Sequence, residues 1–113
     1  MQKSFVNWVL GIIEDDPIPY EIDCIFFNIH RSSFYFYLSM GGNENKISES
    51  FDYFPLEAQF FDIKKFNSFI TLTNIKSLVE KSLHNKLFKQ VFNNKKIFVH
   101  VFGEKDYFLI ENN

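Results

Sequence analysis

The densest run of ionisable side chains is GIIEDDPIPYEID, residues 11–23, which places Glu14, Asp15, Asp16, Glu21 and Asp23 within ten positions. Carboxylates at this density suit a divalent cation or a shared proton only if they converge on one point. Here they do not. Glu14, Asp15 and Asp16 are consecutive, and neighbours on a helix point about 100° apart, so they fan around a helix end. A calcium loop spaces its acids at alternate positions around a glycine turn, and this stretch carries two prolines instead. Acids at a helix C-terminus also oppose its dipole, by up to about 1 kcal/mol. The run reads as a solvated corner, either a plain surface turn or one that doubles as an acidic patch for a basic partner.

The other residues with chemical potential are scattered. His30, His84 and His100 lack ligand spacing, and one cysteine, Cys24, cannot make a zinc set or an intrachain disulfide. Cys24 lies in an apolar run and reads as a small buried hydrophobe. No serine sits in a nucleophile-elbow pattern, and MGGNENK lacks the spacing of a phosphate loop. The sequence therefore assigns no catalytic residue, no metal and no cofactor, and the chain is expected not to be an enzyme.

Charge is unevenly distributed. Residues 1–62 hold three basic and ten acidic residues, a net of −7; residues 63–113 hold nine lysines and four acids, a net of +5, giving −2 in all. Such asymmetry speaks to partners or to self-association. In the basic half, Lys81, Lys86, Lys89, Lys95 and Lys96 decorate one helical stretch and its end, and nucleic-acid binding through residues 74–96 is the alternative reading. Against it, the lysines point at different angles, and arginine, which forks onto phosphates and bases, occurs once. The favoured reading is a protein–protein interaction or self-associating module of inhibitor, immunity or adaptor type. Its contact residues are Glu14, Asp15, Asp16, Glu21 and Asp23, with Tyr35 and Tyr37 beside them if the first hairpin's outer face is exposed.

The elements that must position these residues follow from periodicity. SFVNWVLGII reads as a short, mostly buried helix with Ser4 near its cap, and mid-helix Gly11 suggests a close neighbour. Pro17 and Pro19 then force an extended link. IDCIFFNIH alternates Ile25, Phe27 and Ile29 against Cys24, Phe26, Asn28 and His30, and with FYFYLSM forms an antiparallel hairpin. GGNENKISES reads as a mobile polar loop. In residues 51–72, FDYF suggests a strand and PLEAQFFDIKKF a helix opening at Pro55, with a strand reaching Phe61 as the other option. TNIKSLVEKSLHNKLFKQVFNN is helical, but its apolar face shifts near His84-Asn85, where the helix breaks or is wrapped by neighbours. KIFVHVFGEKDYFLIE is a second hairpin turning at Gly103–Asp106.

Together these predict one α+β domain over residues 1–113. It has an antiparallel sheet of about four or five strands, built on two aromatic-rich hairpins, with two or three helices. The order of elements admits a pseudo-repeat of two αββ halves, which would bring His30 and His100 near each other. It equally admits two aromatic hairpins that look alike without being a repeat. Sixteen phenylalanines among 22 aromatics are ample for a core. No apolar run reaches the length of a membrane helix and no cleavable leader is evident, so a cytoplasmic location is expected. The Lys, Asn, Ile and Phe usage is that of an A/T-rich bacterial or phage genome.

Overall fold

A computed structural model describes residues 1–31, 36–55, 60–63 and 72–110. The chain runs α1 (Gln2–Asp15), β1 (Cys24–Arg31), β2 (Phe36–Asn43), β3 (Phe60–Asp62), α2 (Leu72–Ser82), α3 (Lys86–Val91), β4 (Lys96–Val101) and β5 (Tyr107–Ile110). The strands form one sheet in the order β3-β2-β1-β4-β5. Both expected hairpins are present and antiparallel, β1 with β2 and β4 with β5.

The sheet as a whole is mixed, not purely antiparallel, because β1 and β4 at its centre are parallel. Short turns make each hairpin antiparallel on local grounds. The join between hairpins is decided elsewhere: β3 runs antiparallel to β2 and so in the direction of β1, and the crossover from β3 through α2 and α3 returns the chain in that same direction at β4. Among the described residues β3 has no counterpart in the second half, so the order αββ recurs without dividing the sheet into equal units.

All three helices cover one face. Ile25, Phe27 and Ile29 of β1, Leu38 and Met40 of β2, and Ile97, Val99 and Val101 of β4 point into this core with Phe5, Val9, Ile75, Val79, Phe88 and Phe92. Phe5 of α1 sits at its middle, with ring centroids 5.3 Å from Phe27, 5.9 Å from Phe61 and 5.8 Å from Phe88. The α1 cap position falls on Met1, leaving Ser4 inside the helix. Gly11 is exposed with nothing close to where a Cβ would stand, so it does not mark the close approach its type suggested.

The helical stretch 72–91 does break where its apolar face shifts. Asn85 caps α3, its side chain accepting the Phe88 N–H at 3.1 Å. The break re-aims α3 so that Phe88 and Phe92 both reach the core, while Leu87 stays exposed. In residues 51–72 the expected helix gives way at 60–62 to β3, which pairs antiparallel with β2. Phe61 from β3 fills the core, a tertiary demand that outweighs local helical periodicity. Of the expected FDYF strand, Tyr53 makes a single bridge to Gly42. The rest of the expected helix lies partly outside the described residues. No helix among the described residues is long and apolar enough to cross a membrane.

Candidate functional site

The face of the sheet away from the helices carries the polar chemistry. Strand register aligns Phe60, Ser39, Asn28, His100 and Tyr107 in one row across all five strands, since direct cross-strand partners share a face. Asn28, Ser39 and His100 are fully buried in this row. Asn28 donates Nδ2–H to Ser39 Oγ at 3.2 Å, and Ser39 Oγ lies 2.7 Å from His30 Nε2. Because Ser39 Oγ already accepts from Asn28, its own hydrogen is free to point at the imidazole. The Asn28 Oδ1 acceptor is buried with no partner among the described residues.

Residues 44–55 lie over this face and are joined to the rest of the fold by hydrogen bonds; of the expected polar loop 41–50, Gly41 to Asn43 belong to β2. Asn45 N–H donates to Asp23 Oδ1 at 2.6 Å, and Glu44 N–H to Asp52 Oδ2 at 3.0 Å. Asp52 N–H donates to Asn43 Oδ1 at 2.8 Å, and the Tyr53 hydroxyl to the Asp16 carbonyl at 2.7 Å. The Phe51 ring rests where a side chain at Gly41 would stand, within 2.9 Å of the position its Cβ would occupy. A glycine at 41 is what lets the loop descend onto the sheet.

The loop delivers Glu49 to His100. Glu49 Oε2 accepts from His100 Nε2 at 2.8 Å and from the backbone N–H of Gly103. His100 Nδ1 faces the Asp106 carbonyl at 2.9 Å. Both ring nitrogens thus meet an oxygen of the surrounding chain, which fixes the ring in place. The imidazole stacks on Tyr107, with centroids 3.8 Å apart. The Gly103 N–H, seconded by His100, holds the Glu49 carboxyl below the ordinary carboxylate range. Its side chain is one-third exposed, and both hydrogen bonds fall on Oε2.

Between the loop and the sheet lies a pocket of about 360 Å³, lined by His30, Glu49, Phe51, Phe54, Phe60 and Phe102. That is at the small end for a ligand site. Its walls stand at different angles. Phe102 stacks on His30 at 4.7 Å, Phe60 meets the same imidazole edge-on at 5.8 Å, and Phe51 and Phe54 stack on each other at 5.7 Å. Burial pushes the His30 pKa down, favouring the neutral ring. Among the described residues Glu49 is the one charged side chain in the lining. Phe60 and Phe102 remain 47% and 44% exposed at the rim.

The residues expected from sequence divide between two places. Glu14, Asp15 and Glu21 are exposed at the acidic corner, and Asp16 and Asp23 are half-buried there. The Asp16 carbonyl and the Asp23 carboxylate are used to hold the 44–55 loop. The corner and the pocket sit at opposite ends of β1, separated by roughly 23 Å of strand from Asp23 to His30. Tyr37 belongs to the pocket end, stacked on His30 at 4.8 Å and edge-on to Phe60 at 4.9 Å. Tyr35 lies outside the described residues.

Of the basic set, Lys81, Lys86, Lys89 and Lys96 are exposed, whereas Lys95 is half-buried and donates to the Ile22 carbonyl. Cys24 is buried against Phe26 and Phe98, and burial raises its thiol pKa, which leaves it unreactive. Among the described residues no group of three or more His, Cys, Asp or Glu is placed to hold a metal ion. His30 and His100 do share a face on neighbouring strands. Each binds its own partner, Ser39 for one and Glu49 for the other. Sequence alternation put His30 and Asn28 on this face. Nothing local pointed to Glu49, because its partner His100 is 51 positions away.

No protein-family model matches the chain, and neither a curated protein nor a solved structure matches it.

Proposed function

We propose that this protein is a non-catalytic interaction module, and that the helix-free side of its sheet anchors a side chain of a protein partner in the aromatic pocket. The carrying observation is the half-exposed pair Phe60 and Phe102 at the mouth of a pocket in which His30 is held by Ser39 and Glu49 by His100 and Gly103. Exposed aromatics around a preformed concavity are the usual anchor points of protein interfaces. The non-catalytic part rests on Ser39. Its hydroxyl is bonded to His30, and it has no exposed surface from which to attack a substrate. The exposed carboxylates Glu14, Asp15 and Glu21 supply a separate acidic contact that favours a basic partner.

The test is capture of a stoichiometric partner from host lysate at raised salt by the wild-type chain and by F60A/F102A. Both side chains stand at the surface, so the double variant keeps its fold, checked by circular dichroism. Loss of the partner with the fold intact supports the reading. A partner held equally by both forms places the interface elsewhere and defeats it.

A further inference from the structure

The lining of the pocket also bears on what enters it, and this step rests on the reading just given. We infer that the pocket receives an arginine side chain of the partner, its guanidinium laid against the phenylalanine rings with one N–H directed at Glu49 Oε1.

Three observations carry this. First, the lining favours a cation: Glu49 is the one charged side chain in it among the described residues, and burial of His30 favours its neutral form. A cation entering here meets no positive group in the lining, and an anion would meet a carboxylate. Second, the carboxylate is only half used. His100 and Gly103 both bond Oε2, which fixes the group in place while Oε1 carries no hydrogen bond among the described residues. A neighbour held this way is preorganised for one further donor. Third, the remaining walls are phenylalanine rings at differing angles, and they accept no conventional hydrogen bond. A strongly hydrated ammonium would lose its water there without replacement. A guanidinium is more weakly hydrated, is flat, and stacks on aromatic faces.

The experiment compares two short blocked peptides, Gly-Arg-Gly and Gly-citrulline-Gly, titrated into the ¹⁵N-labelled wild-type protein by NMR. Citrulline keeps the shape of arginine and removes the charge. A lone side chain binds in the millimolar range, so shifts rather than full saturation are read. The expected result is that the arginine peptide moves the amides of His30, Phe60, Phe102 and Gly103, with affinity at least about fivefold above citrulline. In Glu49→Gln that preference falls to near unity. Equal binding of the two peptides overturns the inference and leaves the pocket as a neutral anchor. Absence of shifts at these amides with either peptide overturns it as well. In both cases the F60A/F102A capture still decides the interaction reading independently.

Discussion

The Glu49–His100 contact should be the strongest single tie between the 44–55 loop and the sheet, and its removal gives a measurable stability loss. In Glu49→Ala the fully buried His100 loses the acceptor of its Nε2–H, while the exposed Gly103 N–H turns to water at little cost. An unsatisfied buried donor costs about 1–3 kcal/mol. We expect a loss in that range, or about 4–12 °C in Tm for a domain of this size. The assay is urea unfolding followed by fluorescence of Trp8, the one tryptophan, whose ring lies 5.4 Å from Phe61 in the core. A double-mutant cycle isolates the contact. His100→Phe alone costs stability, but in that background Glu49→Ala should cost less than in the wild type, leaving a coupling of about 1–2 kcal/mol. A loss below about 0.5 kcal/mol for Glu49→Ala, or an additive cycle, would refute the assignment of the loop to this latch.

Other predictions follow from separate features. Gly42→Ala places a Cβ 2.5 Å from Ile22 Cγ2 and 3.1 Å from the Cys24 carbonyl, in a buried site, so it should lower stability by about 1–3 kcal/mol in the same unfolding assay. Asn85→Ala removes the cap of α3 and should cost about 1 kcal/mol, whereas Asn85→Asp should retain most of it. Stability should fall on acidification. The folded His30 pKa lies below its ordinary 6.5, so the unfolded chain binds that proton first, and the contribution is complete above 6.5 and declines below it. The Glu49 pKa is likewise lowered from 4.5, so its contribution is present above that value and is lost as pH falls through the folded one. Unfolding free energies measured from pH 8 to pH 4 that rise on acidification would contradict both signs. Reversing the exposed Lys81, Lys86 and Lys89 to Glu should leave partner capture unchanged; loss of a nucleic acid that wild type holds only at low salt would favour the alternative reading.

The elements whose character is local were readable in the chain. β1 and β4 alternate or run apolar because both faces of a central strand are buried, and Gly103 with Asp106 marks the second turn. The shift of the apolar face near His84-Asn85 was readable too, but from Leu87, Val91 and Phe92, and equally as a break or as a helix wrapped by neighbours. The core positions of Phe88 and Phe92 and the exposed Leu87 decide for the break. Non-local decisions were not readable. The parallel β1–β4 pairing depends on the path of the crossover, and the β3 segment takes its conformation from an edge of β2 that no window around Phe60 contains. The pocket was hidden for the same reason. The described residues that line it come from β1, β3, the 44–55 loop and the end of β4, and only the tertiary fold brings them together.

The buried row beneath the pocket is where local rules are broken, and it lends itself to a final test. A sheet centre in a domain of this size is most stable when apolar, yet Asn28 sits there fully buried with Oδ1 unpaired. An unsatisfied acceptor costs about 1–3 kcal/mol, against about 1 kcal/mol returned by the single bond that Asn28 gives Ser39. Valine at this position is smaller by one heavy atom, favours a strand, and leaves the Ser39–His30 contact in place. Asn28→Val should therefore match the wild type or gain up to about 1 kcal/mol in urea unfolding. A loss above about 1 kcal/mol would mean that Oδ1 is satisfied in solution and that the row is stable on its own terms. A gain would mean that the chain carries a stability cost directly under the pocket, where natural sequences depart from their most stable choice when a site requires it.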